Sequence, residues 1–182
     1  MNLKRNALYL IVSLWFVGIL ASLVYMSISS VTAFDPDNQL LRQTSSQEYD
    51  LVFAHQLEKQ LTNIDNTVLH FVEEGCRCNT TAEEHINSVY ELARQNHFKN
   101  RTIDINAITF IHQGDYLPII PSTPAIAVFG DAGKLIYFGP YSAGYSCSVG
   151  NGIVESFISS QSNKMPGAAI VADTLGCYCN RT

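Results

Sequence analysis

The longest apolar stretch of the chain lies close to its N-terminal end. Residues 7–26 contain only two serines and one glycine as interruptions, and Lys4 and Arg5 precede them. A run of this length spans the hydrocarbon core of a bilayer, whereas the apolar core of a signal peptide has roughly 7 to 15 residues. The pattern therefore predicts an uncleaved transmembrane anchor at 7–26, with a signal peptide cleaved near residues 31–33 as the alternative.

The basic residues on one side of this span predict its orientation. By the positive-inside rule, residues 1–6 lie in the cytoplasm and everything after the span lies outside it. We therefore expect a single-pass signal-anchor protein of the inner or plasma membrane. Its C-terminal domain would be extracytoplasmic, and periplasmic in a Gram-negative cell.

The pattern changes after the anchor. Residues 27–46 are polar, which is typical of a linker, and residues 47–182 are long enough for one domain with its own hydrophobic core. Within that domain, apolar positions follow helical spacing in some segments and strand spacing in others. The predicted helices lie at 49–61, after residue 80 and around 153–158, and the predicted strands at 67–72, 102–110, 125–129, 134–138 and 168–171. This order predicts an α/β fold.

The strand predicted at 67–72 leads directly into a pair of cysteines, within Gly-Cys-Arg-Cys at 75–78. Thr80 or Thr81, with a glutamate three residues later, forms the pattern of a capping box. We therefore expect the next helix to begin after Cys78.

The charge of the exported part excludes one class of partner. The chain has 11 Lys and Arg, of which Lys4 and Arg5 precede the span, and 16 Asp and Glu, so residues 27–182 carry a formal charge of −7. Nucleic-acid binding proteins depend on basic surfaces that neutralise phosphates. A nucleic acid is therefore not an expected partner.

Four of the five cysteines occur in two similar motifs, Gly-Cys-x-Cys-Asn at 75–79 and at 176–180. Paired sulfurs at such short range suit two chemistries, electron transfer through disulfides and binding of a soft metal ion. A domain of this size does not need disulfides merely to be stable. The fifth cysteine, Cys147, has no obvious mate, which indicates a reactive thiol, an intermolecular disulfide or a fifth ligand.

The order of strand, cysteine pair, helix and strand, followed by Ser-Thr-Pro at 122–124 before a hairpin and a helix, resembles the thioredoxin-like superfamily over residues 65–162. The resemblance implies a three-layer α/β fold with a central mixed sheet, here preceded by one N-terminal transmembrane helix. It also implies that the Thr123–Pro124 bond is cis and that these two residues face the cysteine sulfurs. The chain differs from the family in having Cys-x-Cys where Cys-x-x-Cys is usual.

On such a fold the cysteines converge. The strand at 67–72 ends at one end of the sheet, the hairpin at 125–138 begins and finishes there, and a right-handed crossover brings the strand at 168–171 back to the same end. We therefore expect all five cysteines at this edge, including Cys177 and Cys179.

The resemblance implies a thiol–disulfide oxidoreductase that acts on a protein thiol or disulfide partner and needs no cofactor. Cys76 would attack, with its thiolate favoured by Arg77, and Cys78 would resolve. Cys177 and Cys179 would form a second dithiol that relays electrons, with Cys147 close by. A disulfide between Cys76 and Cys78 would close a small strained ring, which favours oxidation of the partner.

Other functions use the same residues. Cys76, Cys78, Cys177 and Cys179 would form a four-thiolate set for zinc or copper. Alternatively, disulfides that cross-link the two motifs would be purely structural, in a membrane-tethered binding module. A peroxidase is not indicated, because the loop before Cys76 lacks the Pro-x-x-x-Thr-x-x-Cys pattern. His112 has no motif around it, and no role is assigned to the other four histidines, His55, His70, His85 and His97.

Overall fold

The computed structural model describes residues 2–29, 31–44, 48–113, 117–144, 152–159 and 166–181. Within these residues, helices span Asn2–Ser29 (α1), Gln39–Gln43 (α2), Glu48–Leu61 (α3), Arg77–Thr81 (α4), Glu83–Gln95 (α5) and Glu155–Ser159 (α6). The strands in the same part of the chain span Thr32–Ala33 (β1), Thr67–Val72 (β2), Lys99–Asp104 (β3), Ser122–Thr123 (β4), Ala125–Phe129 (β5), Leu135–Gly139 (β6), Ala169–Ile170 (β7), Leu175–Gly176 (β8) and Cys179–Asn180 (β9).

The N-terminal helix α1 contains the predicted span. Its residues 6–26 are long and apolar enough to cross a membrane, and none of this stretch is buried against the rest of the protein. An exposed apolar helix of this length is compatible with a membrane anchor.

A central mixed sheet of five strands organises the domain, in the order β3-β2-β5-β6-β7. Strand β2 pairs in parallel with the edge strand β3 and antiparallel with the middle strand β5. Strand β6 pairs antiparallel with β5 and in parallel with the other edge strand, β7. In this register Phe71 lies opposite Ala125, and Phe138 lies opposite Ile170. As predicted, one end of the sheet therefore carries the last residues of β2, β6 and β7 and the first residue of β5.

Each face of the sheet is covered by helices. On one face, the side chains of Leu69, Phe71 and Phe138 pack against Phe53 and Leu57 of α3. The opposite face packs against α5 and α6 through a second cluster of buried residues, which includes Val68, Val89, Ala93, Val128, Tyr137 and Ile158. Because β2 and β5 are buried on both faces, the core lies in three layers, helix, sheet and helix.

Part of the predicted linker belongs to the folded domain. Phe34 is fully buried, and its ring makes an edge contact with the ring of Tyr178 at a centroid distance of 5.3 Å. The carboxylate of Asp35 accepts hydrogen bonds from the backbone N–H groups of Gln39 and Leu41 at 3.0 and 2.9 Å, which caps α2. The chain therefore joins the domain at residue 32, well before the predicted boundary at 47.

The predicted strands at 67–72 and 125–129 are confirmed with these bounds, whereas the bounds predicted for the strand at 102–110 are wrong. That strand, β3, begins at Lys99 and ends at Asp104, where a 3-10 turn follows. The side chain of Asp104 accepts a hydrogen bond from the backbone N–H of Asn106, so a local cap ends the strand.

The predicted capping box is also wrong. Ala82 is the N-cap of α5, and no side chain caps it. Helical structure begins earlier, with Cys76 as the N-cap of α4. The two cysteines of the first motif therefore lie at the start of the helical segment rather than before it.

Replacement of Phe53 by alanine tests the packing of α3 on the sheet. The ring of Phe53 is fully buried and lies 4.7 Å, between centroids, from that of Phe138. We expect Phe53→Ala to lower the free energy of unfolding by about 3–5 kcal/mol, as measured by chemical denaturation. Leu51→Ala is the matched control, because Leu51 lies on the same helix with 73% of its surface exposed, and we expect a change within about 0.5 kcal/mol. Equal losses in the two variants would contradict this packing.

Candidate functional site

Two disulfides join the first cysteine motif to the second. Cys76 is bonded to Cys179 and Cys78 to Cys177, with Cα–Cα distances of 5.9 and 5.5 Å. The predicted disulfide between Cys76 and Cys78 is not formed in this structure. The pairing is the cross-linked arrangement that the sequence left open as an alternative.

The glycines and asparagines of the two motifs have different roles, although the motifs look alike. Gly75 has a φ of +83°, which favours glycine. Gly176 has no room for a side chain, because a Cβ there would lie 2.7 Å from the ring of Tyr178. Asn79 donates a hydrogen bond to the carbonyl oxygen of Glu73 at 2.8 Å, whereas the amide oxygen of Asn180 lies 2.8 Å from the hydroxyl of Ser122. The two motifs are therefore two different local structures.

The second motif is held by two short strand pairs as well as by the disulfides. Strand β8 pairs antiparallel with β1, and β9 pairs antiparallel with β4, so that Cys179 lies opposite Thr123. Between these strands the hydroxyl of Tyr178 donates a hydrogen bond to the carbonyl oxygen of Ser142 at 2.7 Å, and its side chain is 6% exposed. Tyr178 is therefore an anchor in the core between two partly exposed cysteines.

The Thr123–Pro124 peptide bond is cis, as predicted. The carbonyl oxygen of Thr123 lies 3.7 Å from the sulfur of Cys76. This sulfur carries no proton while it is part of a disulfide, so the contact becomes a hydrogen bond only when Cys76 is a thiol. The structure thus brings together the predicted site residues Cys76, Thr123 and Pro124.

Three of the cysteine sulfurs form a compact group. The sulfur atoms of Cys76, Cys78 and Cys179 all lie within 4.8 Å of one another. The residues of the first motif are the more buried, with 8% of Cys76 and 7% of Cys78 exposed, while Cys177 and Cys179 are partly exposed. The second motif is therefore the more accessible of the two.

Cys147 lies outside the described residues, so its predicted place beside the other cysteines stays a prediction. His112 lies on an exposed loop, and no metal-ligand group among the described residues includes it.

A buried polar cluster on β2 was missed by the sequence analysis, which assigned no role to His70. His70 is fully buried, with its Nδ1 2.5 Å from the hydroxyl of Tyr141 and its Nε2 2.9 Å from Oδ1 of Asn100. The side-chain NH₂ of Asn100 donates to the carbonyl oxygen of Tyr90, which fixes Oδ1 as the acceptor. His70 is therefore neutral, donating through Nε2 and accepting through Nδ1. A polar residue within an otherwise apolar strand was the only signal.

Burial determines the ionisation of this cluster. It lowers the pKa of His70 to about 4, although the hydrogen bond with Asn100 acts in the opposite direction. Burial also raises the pKa of Tyr141 well above its ordinary value, so that its hydroxyl stays protonated and donates to His70. The ring of His70 stacks on that of Tyr90 at a centroid distance of 4.0 Å.

A second buried histidine joins two helices. Nε2 of His85 on α5 lies 2.7 Å from Oε1 of Glu155 on α6, and the His85 side chain is fully buried. The ring of His85 makes an edge contact with Tyr141. The two histidines therefore meet the same tyrosine, on the face of the sheet that α5 and α6 cover.

Residues 43–181 match the family model described as Domain of unknown function (DUF6436), which is well over half of the chain. The chain belongs to the DUF6436 family. The match takes in both cysteine motifs, the Thr123–Pro124 bond and all five strands of the central sheet. No curated protein and no solved structure matches the chain.

The low pKa of His70 predicts how stability depends on pH. The unfolded chain binds a proton at His70 near pH 6.5, whereas the folded domain does so only near pH 4. The free energy of unfolding therefore falls by about 3 kcal/mol as the pH is lowered from about 6.5 to 4, because only the unfolded chain takes up this proton in that range. We expect His70→Gln to remove this part of the pH dependence in urea denaturation. His55→Gln, at an exposed position on α3, is the control that leaves it in place, and identical pH profiles for the wild type and His70→Gln would contradict the assignment.

Proposed function

We propose that this chain is a membrane-anchored, extracytoplasmic thiol–disulfide exchange protein with a thioredoxin-like domain. The exchanging bond is the disulfide between Cys76 and Cys179, and its partner is a protein thiol or disulfide. The N-terminus lies in the cytoplasm and the domain lies outside it, where disulfides persist.

The topology supports the thioredoxin-like relationship. A strand that ends at a cysteine motif, a helix after it, a parallel neighbour strand and a hairpin entered through a cis-proline occur in the order that the resemblance implies. The Cys-x-Cys spacing and the cross-linked C-terminal segment distinguish this chain from the usual pattern.

The observation that carries the proposal is the position of the Cys76–Cys179 bond. It joins a nearly buried sulfur, beside the carbonyl of Thr123, to a partly exposed cysteine near the end of the described chain. Exchange needs an accessible sulfur and a leaving thiolate that stays in place. A bond between one partly exposed and one nearly buried cysteine suits both needs.

Either disulfide alone provides most of the stability that the two cross-links contribute together. Each closes a loop of about a hundred residues, with sequence separations of 103 and 99. The first such bridge contributes about 5 kcal/mol of loop-closure entropy. The second then closes only the small ring through Arg77 and Tyr178, so it adds far less. One bridge can therefore open at small cost while the other holds the fold.

The exchange step needs only this protein and a dithiol partner. A thiolate of a dithiol partner attacks one sulfur of the Cys76–Cys179 bond, a mixed disulfide forms, and the other cysteine leaves with the electron pair as a thiolate. The partner's second thiolate then attacks its own sulfur in the mixed disulfide and expels the remaining cysteine. The partner gains a disulfide, Cys76 and Cys179 are reduced by two electrons, and both become thiols by taking up the partner's two protons.

The neighbouring disulfide offers a relay. Once Cys76 is a thiolate, the sulfur of Cys78 lies within 4.8 Å of it. Attack of Cys76 on Cys78 would form the local disulfide and release Cys177 as a thiolate. After this step Cys76 and Cys78 form a disulfide, and Cys177 and Cys179 are both reduced.

Stepwise reduction tests the proposed function. We expect the full-length protein, equilibrated in glutathione buffers of graded potential, to lose the Cys76–Cys179 disulfide first while its tertiary structure persists. Alkylation and mass spectrometry report which cysteines are free, and near-UV circular dichroism reports the fold. If both disulfides are reduced together and only upon unfolding, they are structural, and this result would contradict the proposal.

A soft-metal site is a second candidate, favoured by the three sulfurs within 4.8 Å. Zinc and copper(I) bind thiolates, so this site would exist only in the reduced protein. Cys76, Cys78 and Cys179 would supply three ligands, with Cys177 the predicted fourth.

Metal retention decides this second candidate. The full-length protein, reduced and loaded with zinc under anaerobic conditions, would keep one zinc per chain through gel filtration if the site exists, and Cys78→Ser would lower the retained zinc several-fold. Zinc content is measured by elemental analysis. Loss of all zinc from the wild type during filtration would exclude the site.

A further inference from the structure

We propose that strand β9 occupies a docking site for an extended, cysteine-containing segment of the partner protein. The C-terminal segment is thus a built-in occupant that the partner replaces. This inference rests on the proposed exchange at Cys76 and identifies the form in which the partner binds.

The contacts of β9 are those that such a segment would make. Its cysteine is bonded to Cys76, and its backbone pairs antiparallel with β4, with Cys179 opposite Thr123 and Asn180 opposite Ser122. The pairing continues at Arg181, whose N–H donates to the carbonyl oxygen of Pro121 at 3.0 Å. Addition of a strand is a mode of peptide recognition whose affinity comes mainly from backbone hydrogen bonds.

The rest of the C-terminal segment has contacts that keep it in place when β9 leaves. Strand β8 stays paired with β1, the ring of Tyr178 stays in the core, and the bond between Cys78 and Cys177 is independent of Cys179. Beyond Tyr178, the described residues are only Cys179, Asn180 and Arg181, of which the last two are exposed. The segment can therefore open at Tyr178 without unfolding the domain.

A cavity of about 400 Å³ continues the path of β9. Because β9 runs antiparallel to β4, a longer strand in the same place would pass Pro121 and run along residues 117–120. These residues line the cavity together with Ile108 and Phe110, and Asp37 lies at it too. The site therefore suits a partner segment with a cysteine followed, three or four positions later, by apolar residues.

The experiment uses a five-residue probe, acetyl-Cys-Asn-Arg-Leu-Leu-amide, activated as a mixed disulfide with thionitrobenzoate. Its first three residues are those of 179–181, and its leucines reach toward the cavity. The Cys76 thiolate attacks the peptide sulfur, a new disulfide forms, and thionitrobenzoate leaves with the electron pair, which is followed by its absorbance.

Two variants of the protein leave Cys76 as a free thiol, and a third variant, the control, removes that thiol. Cys179→Ser frees Cys76 but keeps the β9 backbone in place, whereas a variant that ends at Tyr178 removes that strand and keeps the Cys78–Cys177 bond. Cys76→Ser breaks the same disulfide but leaves Cys179 as the free thiol. We expect the probe to react with the shortened variant about tenfold faster than with Cys179→Ser, because the tethered strand competes for β4.

Matched probes separate strand pairing from simple thiol reactivity. N-methylation at the arginine removes the N–H that would donate to Pro121, and we expect it to slow the reaction with the shortened variant about tenfold. Glycines in place of the leucines test the cavity and are expected to slow it several-fold. Cys76→Ser is expected to show no difference between these probes.

Equal rates for all probes, and for the shortened variant and Cys179→Ser, would overturn the docking site while leaving exchange at Cys76 intact. Failure of Cys76 to react even with a small aromatic disulfide would instead overturn the proposed function. Should the shortened variant not fold, amide hydrogen exchange on the wild type decides. Selective reduction of Cys76–Cys179 should expose the amides of Cys179 and Arg181 and leave Gly176 protected, and loss of protection throughout β8 and β2 would contradict the proposal.

Discussion

The arrangement of the domain depends on the double cross-link between the end of β2 and the C-terminal segment. Because Cys76 and Cys78 bond to Cys179 and Cys177, a segment that follows the last strand of the central sheet is fixed beside the end of β2. The same segment pairs with β1 at the start of the domain. The first and last strands described in the domain, β1 and β9, therefore both lie near the end of the sheet where the sulfurs are.

This convergence places the disulfides close in sequence to the apolar helix α1. The hydroxyl of Thr32 donates a hydrogen bond to the carbonyl oxygen of Tyr178 at 3.0 Å, and the N–H of Phe34 donates to that of Thr174 at 2.9 Å. Residue 32 follows α1 closely in sequence, so the second cysteine motif is held by a segment only a few residues of chain from the end of the apolar helix.

Much of the central fold was readable from the sequence because its signals are local. The apolar run of α1, the strands β2 and β5 and the turn that precedes β6 each carry their own pattern, and the resemblance added the cis bond before Pro124. The convergence of the four described cysteines followed from the strand order that the resemblance implied. The prediction of a capping box was wrong because Cys76 begins a separate short helix, and neither α4 nor α5 has a side-chain cap.

The parts that the sequence did not predict are long-range. Nothing in two identical motif frames distinguishes a bond within a motif from a bond between motifs, because that choice depends on where β8 and β9 dock. The burial of Phe34 and the partnership of His70 with Tyr141 and Asn100 likewise require distant segments to meet. These are contacts of the folded domain, and they leave only weak traces in local composition.

Direct assignment of the disulfides in the purified, unreduced protein tests the central claim. Trypsin cleaves after Arg77 and chymotrypsin after Tyr178, so the two enzymes together separate the cysteines within each motif. Mass spectrometry of the digest should find Cys76 joined to Cys179 and Cys78 joined to Cys177. Peptides that join Cys76 to Cys78 and Cys177 to Cys179 as the resting state would contradict the cross-link on which this account of the fold and the site depends.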